Sequence, residues 1–184
     1  MNIVFTGFMG TGKTTVGRIV AEKLGRMFFD TDSMIEDSTG QSISEIFQNC
    51  GEAAFRKLES ETIALVAGMD NIVISCGGGS VINSKNMDIL RKNGIIINLF
   101  ASPEHLLERV SLNDNRPLIV RALNPLGEIK KLLEQRKEAY KNCDFAFNTE
   151  GLSPEQCAQE ILENKELQKA MQGCRDAEMQ SNGK

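Results

Sequence analysis

Five short apolar runs punctuate the chain, at residues 2–6, 27–30, 71–76, 94–100 and 144–148. Most are continuous rather than alternating. A strand with one wet face alternates apolar and polar positions, whereas a strand covered on both faces does not. Between the runs, apolar positions recur at the three- and four-residue spacing of a helix with one buried stripe. Val16-Gly17-Arg18-Ile19-Val20-Ala21-Glu22-Lys23-Leu24 reads this way, as do Leu126, Ile129, Leu132, Leu133 and Tyr140. Strands alternating with helices predict an α/β fold, a five-stranded parallel sheet with right-handed crossovers in three α/β/α layers.

Helix starts are marked. Ser42-Ile43-Ser44-Glu45 has the form of a capping box. Ser102-Pro103, Asn124-Pro125 and Ser153-Pro154 each put a capping side chain before a proline at the first helical position, and Gln156 completes a second box. The stretch Ser111 to Ala122, with Asn113-Asp114-Asn115 and Arg116-Pro117, separates two helical patterns and reads as a long loop of the kind that covers a site. Residues 173–184 are polar and unpatterned and are expected to fray as a disordered tail, leaving 1–172 as a single domain.

The chemistry starts where the first run ends. Gly7-Phe8-Met9-Gly10-Thr11-Gly12-Lys13-Thr14 matches the phosphate-binding pattern G-x-x-x-x-G-K-[ST], between a strand and a helix as the pattern requires. The glycines free backbone N–H groups to point at phosphate oxygens, and the helix N-terminus adds its positive end. Gly10, Thr11, Gly12, Lys13, Thr14 and Thr15 are therefore nucleotide-binding candidates. Lys13 would reach the β and γ phosphates, and the Thr14 hydroxyl would ligate Mg2+. The chain is expected to bind a nucleoside triphosphate.

Asp30-Thr31-Asp32 closes the second run. In an extended chain positions i and i+2 point the same way, so both carboxylates can face one site beyond the strand ends. One acid can serve Mg2+ while the other accepts a proton from an attacking hydroxyl. The third run ends without an acid, at Ile72-Val73-Ile74-Ser75-Cys76, so Asp30 is the metal-side candidate. Asp32 also suits a helix cap or turn. Gly77-Gly78-Gly79 removes every Cβ from the next strand end, for a ligand's close approach or for a tight turn. Arg136 falls on the apolar stripe of its helix, where a guanidinium needs an anion unless it snorkels out. Arg56 precedes Glu59 by three residues, which fits either a guanidinium held for a carboxylate or a solvated pair. Arg116 in the long loop can clamp a γ-phosphate, and Arg109 can lie beside the nucleotide; each also fits a solvated charge.

Composition narrows the partners. The 184 residues are 41% hydrophobic, enough for a core, and 21 basic against 25 acidic residues give a net charge of −4. Without a basic field, nucleic acid is not an expected partner, and a small anion would be held by local arginines. The longest apolar stretch, Ile95 to Ala101, is broken by Asn98 and far short of the roughly 20 residues of a membrane span. No basic n-region or cleavage site opens the chain, so no secretory signal is expected. Five cysteines, an odd number with no C-x-x-C pair, speak against a disulfide framework or zinc site and for a reducing cytoplasm. Cys76 is expected to be a packing residue, and His105 a structural one.

In combination and order, these motifs resemble the shikimate kinases. The resemblance covers about Asn2 to Thr149: the phosphate loop, Asp30-Thr31-Asp32, Phe55-Arg56 with Glu59, the triple glycine, Arg116-Pro117-Leu118 and Arg136. It implies a P-loop kinase fold with a small substrate-binding region at about 31–60 and a lid at about 110–123. It implies that Asp32, Arg56, Arg136 and Gly77 to Gly79 hold shikimate, with Asp32 at the acceptor hydroxyl. Thr14 and Asp30 belong to the Mg2+ site, Lys13 and Arg116 stabilise the transferring phosphoryl group, and Arg109 with the Ser153-Pro154 loop borders the adenine of ATP. The reaction implied is phosphorylation of shikimate by ATP in aromatic amino-acid synthesis, in a cytoplasmic monomer. One position departs from the family's R-x-P-x-Y: Arg136-Lys137-Glu138-Ala139-Tyr140 has Glu138 in place of proline. Gluconate, another anionic polyol, is the rival acceptor. A GTPase would need N-K-x-D, and Asn164-Lys165-Glu166-Leu167 lacks the aspartate. A non-catalytic nucleotide-binding module should have lost one of Lys13, Thr14, Asp30, Asp32 or Arg116, and all are present.

Overall fold

The computed structural model describes residues 1–111 and 123–181, with side chains as far as residue 173. Each apolar run contains a strand: β1 Asn2–Gly7, β2 Phe28–Asp30, β3 Val73–Ser75, β4 Gly94–Phe100 and β5 Phe145–Asn148. All four pairings are parallel, in the order β2-β3-β1-β4-β5. The second and third strands are shorter than their apolar runs, although the Met27 and Ile72 carbonyls still accept inter-strand bonds, from Val73 and Ile3, each at 2.9 Å.

The continuous runs have the predicted cause. On β1, Ile3 and Phe5 enter one core with Val16 and Val20, while Val4 enters the other with Ile63 and Met87. Neighbouring β4 divides the same way, Ile95 and Ile97 to the first core and Ile96 to the second. The helices covering these faces are α1 Lys13–Leu24, α2 Thr31–Thr39, α3 Ile43–Ala67, α4 Ser84–Arg91, α5 Pro103–Ser111, α6 Pro125–Lys141, α7 Pro154–Glu163 and α8 Lys165–Ser181.

Two predicted capping boxes form. Ser42 and Glu45 exchange backbone and side-chain bonds at the start of α3, and Ser153 and Gln156 do so at α7. Asn124 caps α6 by accepting the Gly127 N–H at 3.0 Å. The helix α3 is broken at Gly51, whose φ of 80° and ψ of 170° are outside helical values. Both sides of the break pack with α2, around Ile35, Ile46 and Phe55, apart from the two sheet-facing cores. This satellite occupies the predicted substrate-binding region. Glu138, at the family's proline position, is an ordinary member of α6 and pairs with Lys141 at 2.8 Å. In α8, Leu167, Ala170 and Met171 pack on the core, and the backbone continues to Ser181 through residues with no apolar pattern of their own.

The strand order places the site. From β1 the chain crosses to β2 and back to β3, then passes to the other side of β1 for β4 and β5. Ligands in such sheets bind beyond the strand C-termini where the direction reverses, which here is the end of β1.

Candidate active site

The loop leaving β1 is held by its own side chains. Gly10 and Gly12 have φ of 79° and 88°, in the left-handed region where a Cβ would clash. The Thr11 hydroxyl donates to the Phe8 carbonyl at 2.8 Å, and the Lys13 ammonium donates to the same oxygen at 2.9 Å. Lys13 is only 8% exposed, so its charge lies folded along the loop where phosphates would lie. Beside it runs a cavity of about 330 Å³ lined by Gly12, Thr15, Arg109, Thr149, Pro154 and Cys157, among others. Arg109 closes its wall by donating to the Thr149 hydroxyl at 3.1 Å, the Thr149 carbonyl at 2.9 Å and the Gly10 carbonyl at 3.3 Å. Thr149, buried after β5, was not a sequence candidate; nothing local distinguishes it from a strand-end threonine.

The acidic pair is arranged differently from the sequence expectation. The strand β2 ends at Asp30, and Thr31 and Asp32 already belong to α2. The argument from an extended i, i+2 pair therefore does not apply, and the capping residue is Asp30 rather than Asp32. One Asp30 oxygen accepts the N–H groups of Asp32 at 3.0 Å and Ser33 at 3.3 Å. The other accepts the Thr14 hydroxyl at 2.7 Å. A carboxylate can cap a helix with one oxygen and serve a site with the other, so the cap and the candidate ligand coincide. Two hard oxygen donors in direct contact at the phosphate loop are a donor set that fits Mg2+.

Asp32 reaches the site from the first turn of α2. A Cβ built on Gly77 would lie 2.5 Å from Asp32 Oδ1 and 3.1 Å from Glu59 Oε1, so only glycine lets the turn lie against both acids. The turn continues into the arginines. A Cβ on Gly79 would stand 2.5 Å from Arg56 Nη1. Arg56 donates to Glu59 at 2.8 Å and to Glu52 at 3.2 Å, and Glu59, 1% exposed, also accepts the Ser80 hydroxyl at 2.8 Å. Burial works against the Arg56 charge; Glu59, with Glu52 behind it, outweighs that and holds its pKa above the ordinary value. The guanidinium is thus held in one position rather than being part of a freely solvated pair. Glu52 and Ser80 are additions that the three-residue spacing to Glu59 did not single out.

The Gly78 carbonyl accepts from two residues of α6: the Tyr140 hydroxyl at 2.6 Å and Arg136 at 3.4 Å. The Arg136 guanidinium lies 5.9 Å from the centre of the Phe8 ring, a cation–π contact that orients it without neutralising it. The guanidinium is half-buried beside the glycine turn rather than extended away from it. Burial, followed by the charges of Glu59 and Asp30, pushes the Cys76 thiol up well beyond its ordinary value of 9.0, which makes it a packing residue. Arg116 and most of the predicted lid lie outside the described residues.

Phosphate loop, acidic pair, glycine turn and two restrained arginines thus meet at one end of the sheet. The family model that matches, over residues 9–166, is that of shikimate kinase. The chain belongs to the shikimate kinase family. Among curated relatives, the shikimate kinase of Thermodesulfovibrio yellowstonii is 47% identical over 165 residues, 90% of this chain and 95% of the relative. That of Caldicellulosiruptor saccharolyticus is 48% identical over 161 residues, 88% and 93% of the two chains. Among solved structures, shikimate kinase from Acinetobacter baumannii in complex with shikimate superposes with a TM-score of 0.84 at 36% identity, covering 88% of this chain and 90% of that one. A gluconokinase from Sinorhizobium meliloti reaches a TM-score of 0.57 at 20% identity, a likeness of fold alone. For this shikimate kinase family member, the P-loop kinase architecture is therefore the family's own, and the rival acceptor has no support beyond a shared fold.

Proposed function

We infer that the protein transfers the γ-phosphoryl group of ATP to the 3-hydroxyl of shikimate, giving ADP and shikimate 3-phosphate. The observation that carries this reading is the glycine turn: it brings Asp32, Arg56 and Arg136 to one surface directly beside the phosphate loop, in a chain of this family. Lys13 and the loop N–H groups of Gly10 to Thr15 bind the phosphates, and Arg109 borders the base. Arg56 and Arg136 are the cations for the shikimate carboxylate, each already held in place, so little side-chain entropy is lost on binding. The Asp32 carboxylate accepts the proton of the acceptor hydroxyl as its oxygen attacks the γ-phosphorus. The β–γ bridging oxygen leaves with ADP, and Lys13 and Arg116 offset the charge on the transferring group. Thr14 and Asp30 would hold Mg2+, which supplies charge neutralisation at the phosphate oxygens. The rate gain rests on positioning and charge, since phosphoryl transfer asks little covalent chemistry of the protein. Among the described residues no helix is long and apolar enough to cross a membrane. We place the protein in the cytoplasm as a monomer, in keeping with the free thiols of Cys50, Cys76, Cys143 and Cys157.

The test is ADP release from ATP and Mg2+ with shikimate, gluconate or no acceptor, with the phosphorylated product identified by mass. Release that depends on shikimate is the expected result. Release with gluconate alone would keep the kinase and overturn the acceptor; ATP binding without release in any arm would leave a non-catalytic module.

A further inference from the structure

Thr31 stands between the two acids and has no part in the reaction as assigned above. Its side chain is wholly buried, and its hydroxyl oxygen accepts the Gly77 N–H at 3.0 Å across 46 residues of sequence. Thr31 opens α2, and Gly77 opens the glycine turn after β3. The bond therefore ties the helix start that carries Asp32 to the backbone against which the Asp32 carboxylate lies. The following two residues of that turn meet the remaining acceptor-side groups, Gly78 through its carbonyl to Arg136 and Tyr140, Gly79 through its close approach to Arg56. A shift at Gly77 moves every one of these contacts. On the nucleotide side, Lys13 bonds the Phe8 carbonyl and Thr14 bonds Asp30, and neither of these bonds uses the Thr31 hydroxyl.

We propose that Thr31 is a positioning residue for the acceptor half of the site: its hydroxyl sets the glycine turn against Asp32, so that the acceptor hydroxyl meets the carboxylate while the arginines hold the anion. Threonine suits the task because its branched Cβ limits the side chain to few rotamers, and because a buried N–H left without a partner is costly. The proposal rests on the shikimate reading of the site.

Thr31→Val keeps the shape and removes the acceptor; Thr31→Ser keeps the acceptor. In steady-state kinetics Thr31→Val should lose about tenfold or more in kcat/KM for shikimate, the size of one buried hydrogen bond, with KM for ATP within about twofold of wild type. Thr31→Ser should regain most of that loss. Equal losses toward both substrates, or an unaffected Thr31→Val, overturn the proposal. Should Thr31→Val fail to fold, hydrogen exchange of the Gly77 amide in the wild-type protein decides: protection with or without ATP supports the bond, and exchange at the rate of an exposed amide overturns it. Wild-type protein that turns over no shikimate in the same assay overturns the functional reading and takes this proposal with it, whereas shikimate turnover with an unchanged Thr31→Val overturns the proposal alone.

Discussion

A single methyl group tests how tightly the acceptor side is built. Gly79 has φ of −102°, which any residue adopts, so Gly79→Ala carries no backbone strain. Its Cβ would nevertheless meet Arg56 Nη1 at 2.5 Å and Nη2 at 2.7 Å. A free arginine would swing away at little cost, but this one is anchored to Glu59 and Glu52. Gly79→Ala should therefore raise KM for shikimate about tenfold, as the loss of one charge-assisted bond would, while KM for ATP holds; a parallel rise in both would show a general distortion instead. Asp32→Asn keeps the shape and removes the proton acceptor. It should lower kcat by about 100-fold or more, the span of general-base catalysis, with ATP binding intact by calorimetry. Near-normal turnover would take Asp32 out of the chemistry. Both residues were legible in the sequence as types and spacings. The identity of the cap was not, because two aspartates flanking one threonine satisfy the same local pattern, and only the bonds from the Asp32 and Ser33 N–H groups to Asp30 decide between them.

At the scale of elements, local signals are the ones the sequence carries. Capping boxes lie within four residues, and both formed. The strand runs are legible because both sheet faces are covered, while β2 and β3 start later than their runs, since Met27 and Ile72 join the ladder through their carbonyls. The break at Gly51, with its φ of 80°, is not legible in the sequence, because an isolated glycine in a helical pattern is normally tolerated. The proline position of the family motif is settled the other way, since Glu138 donates its own N–H and bonds Lys141, so α6 runs unbroken to Lys141. The box at Ser42 opens α3 within the proposed substrate-binding region: Glu45 N–H donates to the Ser42 hydroxyl at 3.2 Å, and Glu45 accepts the Ser42 N–H at 2.8 Å. Ser42→Ala should cost about 1 kcal/mol. For a chain of this size that lowers the melting temperature by roughly 2–4 °C. Calorimetry reads it directly; an unchanged melting temperature would mean the box is formed but contributes nothing.

Across the whole molecule, periodicity yields five parallel strands and is silent on their order. The pairing of Asn2 to Gly7 with Gly94 to Leu99 joins segments about ninety residues apart, and each equally apolar run could have taken that place. Stability, by contrast, is a global property that the titrating groups let us predict in sign. Hydrogen bonds from the N-terminal ammonium to Asp70, from Ser42 to Glu45, from Lys130 to Glu104 and from Ser102 to Glu150 hold these carboxyls below their ordinary values. A depressed folded pKa adds stability above the unfolded value and loses it as the pH falls through the folded one. The protein should therefore hold its melting temperature down to about pH 5 and lose it progressively below about pH 4. Thiols act at the other end. Burial, with the charge of Glu160 behind it, pushes Cys157 up from 9.0 to about 11, and burial raises Cys143 and Cys76 as well. A raised folded pKa adds stability that is whole below the unfolded value and drains away as the pH climbs from there through the folded value. Melting temperatures should thus fall again above about pH 9, as thiols exposed by unfolding ionise. Cys157→Ala separates this from other alkaline losses. Trimming a buried side chain lowers the curve at every pH, but the removed thiol should make the decline from pH 8 to 10 shallower than in wild type, with the acid arm unchanged in shape. An alkaline arm as steep as before would assign the loss to groups other than Cys157.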